Sequence, residues 1–160
     1  MKKWLLSFYL FASFNLFAQE IPKWKINDVE KYISSSSSDI VIVNMWATFC
    51  KPCVAELPAF IRITEQYKKH NVQLLLVSLD LPSFYPRKVA AFAKKHKFYS
   101  NIVWLDETNA DYFCPKIDKA WSGSIPATLI VNTKTGYRKF VEEEMSAAVF
   151  EKELQVAIKR

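Results

Sequence analysis

The sequence predicts an α/β domain with a mixed central sheet flanked by helices. Residues 40–46 form a nearly continuous apolar run rich in β-branched side chains, and residues 72–79 repeat this buried-strand pattern, which is typical of parallel strands covered on both faces. A segment with helical character follows each run, and a hairpin and a last helix come near the end of the chain. The length of 160 residues suits one domain, since domains cluster around about 100–150 residues.

Each remaining element follows from a local pattern. Asn27 and Asp28 are expected to cap a first short helix, and a five-serine loop separates it from the first long strand. Turn-forming residues at 132–136 lie between two short strand patterns, which predicts a hairpin. The last helix is amphipathic and is expected to turn one apolar stripe inward: Phe150, Leu154, Ala157 and Ile158. We expect helices at 27–33, 50–69, 87–96 and 146–159, and strands at 40–46, 72–79, 102–105, 127–131 and 137–141.

The composition excludes several classes of protein. Three cysteines are too few for a disulfide-rich mini-protein, and an apolar fraction of 51% is too high for a disordered chain. Gly123 and Gly136 are the only glycines, so the chain cannot contain a glycine-rich phosphate loop or a dinucleotide-binding fingerprint.

The first residues have the pattern of a secretory signal. Lys2 and Lys3 precede an uncharged run from residue 4 to 19, and the small Ala18 offers a cleavage site. The run is short for a membrane span, which needs about 20 apolar residues. We therefore expect residues 1–18 to be a cleaved signal peptide, residues 19–160 to be the mature domain, and the protein to be periplasmic or otherwise exported. An uncleaved N-terminal membrane anchor is the alternative.

The positive charge of the chain does not indicate nucleic-acid binding. The net charge is +6, and loss of Lys2 and Lys3 with the signal would lower it to +4. The remaining basic residues occur mostly as pairs near the ends of expected helices, whereas nucleic-acid binding calls for basic residues gathered on one face. We expect a solvated surface and no nucleic-acid partner.

The chemistry is concentrated in a Cys-x-x-Cys pair, Cys50 and Cys53, which follows a buried strand and opens a helix. The first sulfur then lies at the helix N-terminus, where unpaired N–H groups and the helix dipole stabilise a thiolate. Lys51 adds a positive charge and Pro52 stiffens the turn. Half of a zinc site is disfavoured because His70 and His96 stand alone, and a loop this short would add little as a structural disulfide. We expect redox catalysis without a metal or other cofactor.

Residues 46–58, Trp-Ala-Thr-Phe-Cys-Lys-Pro-Cys-Val-Ala-Glu-Leu-Pro, resemble the active-site stretch of the thioredoxin superfamily, specifically its exported TlpA/ResA-like branch. The resemblance covers residues 39–160 and implies a thioredoxin-like fold. It implies a cis-proline at Pro126 facing the cysteines, with the backbone at Ile125 free to pair with an extended substrate. It also implies that Glu56 handles the proton of Cys53, since Asn44 stands where thioredoxin has a buried aspartate.

Some features depart from the family pattern or stand outside it. Phe49 replaces a usual tryptophan, and residues 109–121 form a longer segment that is either a surface turn with a buried aromatic or a contributor to partner choice. Residues 141–145 lack the glycine of many relatives, and their three glutamates could favour the N-terminus of the last helix. Cys114 is expected to be a buried packing residue rather than a reactive thiol, and both histidines are expected to be exposed.

These observations predict an exported thiol–disulfide oxidoreductase in which Cys50 attacks a protein disulfide and Cys53 resolves the mixed disulfide. Desolvation would raise the pKa of Glu56 and suit it to proton exchange with Cys53. The resemblance implies a reducing role, often toward apocytochrome c, with a membrane thiol carrier as electron donor. We expect a monomer.

Three alternatives remain open. An oxidant or isomerase of secreted disulfides would use the same motif at a different potential. A non-catalytic or metal-handling module would use the same fold, although both cysteines are present and no histidine lies near them. A peroxidase is disfavoured because its reactive thiol would not have a Cys-x-x-Cys partner.

Overall fold

A computed structural model describes residues 21–160, and six strands in this part of the chain form one mixed sheet. The expected signal at residues 1–18 lies outside the described residues. The strands are β1 (Lys23–Trp24), β2 (Ile40–Trp46), β3 (Val72–Ser78), β4 (Asn101–Leu105), β5 (Ala127–Asn132) and β6 (Arg138–Val141). The helices are α1 (Ile26–Ser35), α2 (Lys51–Gln66), α3 (Arg87–His96), α4 (Ala110–Ile117) and α5 (Ala147–Lys159).

The strand order across the sheet is β1-β4-β3-β2-β5-β6. The first four strands in this order run parallel, β5 is antiparallel to β2, and β6 is antiparallel to β5. The prediction of a mixed sheet with a C-terminal hairpin is therefore confirmed. None of the helices in residues 21–160 is long and apolar enough to cross a membrane.

The strand β2 lies at the centre of the sheet and is buried along its whole length. Its side chains alternate between two hydrophobic clusters, one on each face of the sheet. Ile42 and Trp46 pack in the cluster formed with α2, α3 and α5, while Val41 and Val43 pack in the cluster formed with α1 and α4. This two-sided burial explains why the run is continuously apolar instead of alternating. The one polar residue in β2, Asn44, has the same parity as Ile42 and so faces α2.

The start of α1 corrects one expectation. Asn27 and Asp28 do not precede the helix but lie in its first turn, and Lys25 is the N-cap residue. The Asp28 carboxylate accepts a 2.8 Å hydrogen bond from the backbone N–H of Lys25, which is the reciprocal half of a capping box. Asn27 Oδ1 instead accepts a 3.0 Å hydrogen bond from Lys116 Nζ on α4.

Two elements were missing from the predicted order. The two-residue strand β1 is too short to give a pattern, and α4 occupies part of the segment 109–121, for which the sequence predicts a surface turn or a contributor to partner choice. Pro115 within α4 hides its helical character, but Phe113, Cys114 and Ile117 are buried on one face. The helix α2 ends at Gln66, and a 3₁₀ turn at Lys68–His70 replaces its expected last turn.

The three glutamates at residues 142–144 do not form the first turn of α5, contrary to expectation. Ser146 is the N-cap residue of α5, and its hydroxyl accepts a 3.3 Å hydrogen bond from the Val149 N–H. Three residues of the predicted inner stripe, Phe150, Leu154 and Ala157, are buried, whereas Ile158 is half-buried. The glutamates therefore lie in the connection between β6 and α5.

Candidate functional site

Cys50 lies where the chain leaves the central strand β2 and enters α2. It is the N-cap residue of α2, with extended backbone, and its Sγ accepts a hydrogen bond of 3.3 Å from the Cys53 N–H. Lys51 and Pro52 are the first two residues of the helix and are exposed. The sulfur of Cys50 therefore lies among the unpaired donors of a helix N-terminus, where a thiolate is stabilised.

Cys50 and Cys53 form a disulfide with a Cα–Cα distance of 5.3 Å. Cys50 is 8% exposed and Cys53 is fully buried beneath it. Phe49, directly before the pair, is 59% exposed and gives the surface beside Cys50 an apolar character. An incoming disulfide can therefore reach Cys50 more readily than Cys53.

The loop between β2 and Cys50 is held by Asp80, which follows the neighbouring strand β3. Its carboxylate accepts hydrogen bonds from the Thr48 N–H at 3.1 Å, the Thr48 hydroxyl at 2.5 Å and the Ser78 hydroxyl at 2.8 Å. Asp80 is 3% exposed, so these donors supply the hydrogen bonds that its buried carboxyl group would otherwise lack. The contact fixes the chain two residues before Cys50.

Glu56 lies one turn beyond Cys53 on α2 and is 4% exposed. Its Oε1 accepts a 2.8 Å hydrogen bond from Asn44 Nδ2, and its Oε2 accepts a 2.9 Å hydrogen bond from the Met145 N–H. Asn44 also donates to Thr128 Oγ1 on β5 at 2.9 Å. Among the hydrogen bonds of the described residues, none joins Glu56 to Cys53, which in the disulfide has no proton to share.

The pKa of Glu56 is raised from 4.5 to about 7. Burial is the main cause, because it penalises the charged carboxylate. The hydrogen bonds from Met145 and Asn44 act in the opposite direction, and the nearby negative charge of Glu144 raises the pKa further. Asn44 Oδ1 is buried without a partner among the described residues, so a free acceptor lies beside the carboxyl group. Near neutral pH the group can therefore take up or release a proton.

Pro126 precedes β5 and follows a cis peptide bond from Ile125. Ala127 pairs with Met45 in the sheet, so this loop and the loop before Cys50 emerge at the same edge. Pro126 is buried, and the half-buried Ile125 packs against the same hydrophobic cluster as Cys50 and Cys53. The structure thus brings together the cysteine pair, Glu56 and the Ile125–Pro126 bond around one end of the sheet.

Cys114 lies on α4, in the cluster on the opposite face of the sheet from Cys53. It is 4% exposed, and burial together with the negative charges of Glu142 and Asp111 raises the pKa of its thiol. A protonated, buried thiol is a poor nucleophile, in keeping with the expected packing role. Both histidines are exposed, and His96 stacks on Phe92 with ring centroids 4.2 Å apart.

Two acidic residues near the site were not singled out from the sequence. Asp80 could have been suspected, because a carboxylate directly after a buried parallel strand lies at the edge where such sites form. Glu142, which contacts the loop before Pro126, is one of three consecutive glutamates and nothing in the sequence distinguishes it. Among residues 21–160, no group of three or more His, Cys, Asp or Glu side chains is arranged to hold a metal ion.

Comparison with known proteins gives the family. The model of the AhpC/TSA family matches residues 12–136, which is most of the chain. The chain belongs to the AhpC/TSA family. Its fold is thioredoxin-like: a thioredoxin-related protein from Neisseria meningitidis serogroup B superimposes with a TM-score of 0.63 at 29% identity, over 78% of this chain and 86% of that one. StoA from Bacillus subtilis shares the fold, with a TM-score of 0.54 at 24% identity, over 73% of this chain and 83% of that one.

The chain is also similar to curated proteins that are named as thiol-disulfide oxidoreductases or as thioredoxin-like. The thiol-disulfide oxidoreductase ResA of Geobacillus kaustophilus is 26% identical over 116 residues, covering 72% of this chain and 61% of the relative. The thioredoxin-like protein YneN of Bacillus subtilis is 26% identical over 134 residues, covering 70% of this chain and 78% of the relative. ResA of Oceanobacillus iheyensis is 33% identical over 66 residues, which cover 37% of this chain. The chain spans less than two thirds of these two ResA proteins, 34% and 61%.

Proposed function

We propose that this protein is an exported thiol–disulfide oxidoreductase that reduces disulfide bonds of protein substrates through Cys50 and Cys53. The observation that carries the proposal is the asymmetric pair at the start of α2. Cys50 is the partly accessible N-cap residue, and Cys53 is fully buried beneath it, one turn from a buried carboxyl group. The family membership and the names of the relatives support the same chemistry.

The proposed reaction has two exchange steps. The Cys50 thiolate attacks one sulfur of the substrate disulfide, the substrate S–S bond breaks, and the departing substrate thiolate takes up a proton. Cys53 then loses its proton and attacks Cys50 Sγ, which releases the second substrate thiol and leaves the Cys50–Cys53 disulfide. Two electrons pass from the cysteine pair to the substrate, and an external thiol donor must restore the pair.

Glu56 is the proposed proton acceptor in the second step. A carboxyl group with a pKa of about 7 is partly ionised near neutral pH and can take the Cys53 proton. Ile125 and the region of Pro126 would contact the extended substrate segment, while Lys51 and Pro52 would tune the Cys50 thiolate. These roles rest on position and on the resemblance to the TlpA/ResA-like branch.

We further propose export through residues 1–18 and, from the resemblance, apocytochrome c as a substrate and a membrane thiol carrier as donor. The basic start and short apolar run at residues 2–17 support export. An oxidant or isomerase of secreted disulfides remains the second candidate for the direction of the reaction.

The equilibrium potential of the Cys50–Cys53 couple tests the direction. It is measured by titrating the purified protein against glutathione redox buffers and trapping the thiols. A value near about −250 mV or lower supports a reductant, whereas a value near about −120 mV would assign the protein as an oxidant. The Cys53→Ser variant, which cannot form the pair, is the blank for the titration.

A further inference from the structure

The loop that carries Ile125 and Pro126 is bound on its solvent-exposed side by the carboxylate of Glu142. We call residues 122–126 the substrate loop and residues 142–145, which join β6 to α5, the connector. Glu142 Oε1 accepts hydrogen bonds from the N–H groups of Ser122 and Ser124, each at 3.0 Å, and Oε2 accepts from the Ser122 N–H at 3.1 Å. The Ser122 hydroxyl also donates to Oε1.

The backbone of the substrate loop is shaped to receive this anion. Gly123 has a φ of +96°, a conformation that favours glycine, and it turns the N–H groups on either side toward one point. Such converging N–H groups form a concave site for a negative charge. The hydrogen bonds from Ser122 and Ser124 accordingly lower the pKa of Glu142. The carboxylate is therefore charged when it binds the loop.

The substrate loop is also fixed from inside. The buried Trp121 donates a 2.8 Å hydrogen bond from its Nε1 to the Ser124 carbonyl. A side chain added at Gly123 would meet Cys114 Sγ at 3.6 Å, so the loop rests on the cluster beneath it. Within residues 21–160, Glu142 on the solvent side and Trp121 on the core side thus restrain the residues directly before the Ile125–Pro126 bond.

We propose that Glu142 is a positioning residue for protein substrates, holding the substrate loop in the shape that presents the Ile125 backbone to an extended chain. This inference rests on the proposed function, since the loop matters in this way only if a protein disulfide docks beside Cys50. The connector supports the same reading, because its last residue, Met145, donates to the Glu56 carboxylate. The connector therefore contacts the substrate loop at its first residue, Glu142, and the proposed proton acceptor at its last, Met145.

The test compares Glu142→Ala with Glu143→Ala in the reduction of insulin, with dithiothreitol as electron donor. Glu143 is the adjacent, exposed glutamate and serves as the matched control. Loss of hydrogen bonds to a charged group should raise the KM of Glu142→Ala for insulin about ten-fold, with kcat altered less than about two-fold. Glu142→Gln keeps a neutral acceptor, so its KM should rise about three-fold. Dithiobis(nitrobenzoate) has no peptide backbone that could pair with the substrate loop. The ratio of the rate of insulin reduction to the rate of dithiobis(nitrobenzoate) reduction should therefore fall most in Glu142→Ala and less in Glu142→Gln.

The outcomes separate this inference from the proposed function. If wild type reduces insulin and all three variants share its KM, the role of Glu142 is wrong and the proposed function stands. A fall in kcat at unchanged KM would also overturn the role, because it would indicate general disruption. If Glu142→Ala does not fold, Glu142→Gln decides, and a wild-type KM in that variant refutes the inference. A wild type that cannot reduce insulin overturns the proposed function, and the inference falls with it.

Discussion

At the scale of single residues, the two sulfur atoms of the active pair differ in access, and we expect them to differ in role. Cys50 is 8% exposed at the start of α2, whereas Cys53 is fully buried. Cys53→Ser should therefore keep the attacking thiol and accumulate mixed disulfides on Cys50, while Cys50→Ser should abolish both attack and trapping. Non-reducing gels and mass spectrometry of the trapped adducts measure this. Adducts that survive in Cys50→Ser and vanish on replacing Cys114 would refute the assignment.

Glu56 should affect the second exchange step more than the first. Glu56→Gln removes the proton acceptor but keeps the size of the side chain, and general acid–base help is worth about 10²–10⁴-fold. We expect slower resolution of the mixed disulfide and loss of the rate dependence centred near pH 7, where Glu56 titrates. Alkylation of Cys50 should change less. Stopped-flow reduction of a model disulfide from pH 5 to 9 measures both steps, with Glu143→Gln as control, and superimposable profiles would exclude Glu56 from the chemistry.

The same carboxyl group should make stability depend on pH. Its pKa is about 7 in the folded protein and 4.5 ordinarily, so between these values the folded state holds a proton that the unfolded state has released. The stabilisation of the folded state that comes from this proton on Glu56 is fully present below pH 4.5 and is lost as the pH rises through 7. The free energy of unfolding should fall by up to about 3 kcal/mol across this window. Urea unfolding of oxidised wild type and Glu56→Gln at several pH values measures this fall, and an equal pH dependence of the two proteins would contradict the raised pKa of Glu56.

At the scale of elements, the contact between α2 and α5 holds the helix that carries the active pair. Phe60 of α2 and Phe150 of α5 stack with ring centroids 3.8 Å apart, and both are fully buried. Phe150→Ala should lower the free energy of unfolding by about 3–5 kcal/mol, because it removes an aromatic ring and leaves a cavity. Val149→Ala is the matched control, since Val149 is 47% exposed and its truncation should cost less than about 0.5 kcal/mol. Equal losses in urea unfolding would contradict the importance of this stacking.

At the scale of the whole molecule, export decides where the cysteine pair works. If residues 1–18 are a cleaved signal, the mature protein begins near Gln19 and is found outside the cytoplasm. Intact-mass spectrometry of protein from its native host, after separation of membrane and soluble fractions, measures this. A variant with Ala18 replaced by a bulky residue should accumulate unprocessed. Recovery of residues 1–18 on the wild-type protein in membranes would indicate an anchored enzyme instead.

Much of the architecture could be read from periodicity, because the central elements of an α/β fold are buried on predictable faces. The strand β2 was predicted with its observed bounds, and α3 likewise, since each stands between clear breaks in pattern. The elements that were missed or shifted lack such local signals. The strand β1 has two residues, α4 contains a proline, and the cap of α1 depends on the reach of Asp28 back to Lys25.

The sequence by itself determined the cysteine pair at a helix start, the buried strands and the family resemblance, because these depend on residue type and spacing over short stretches. Only the tertiary structure decided which polar groups meet. Glu56 is joined to Asn44 and Met145, 12 and 89 residues away, and Glu142 to Ser122, 20 residues away. Such contacts follow from the parity of strands and from the packing of helices on the sheet, which bring distant residues together. The raised pKa of Glu56 and the restraint on the substrate loop therefore belong to the fold, although the residues that produce them are visible in the chain.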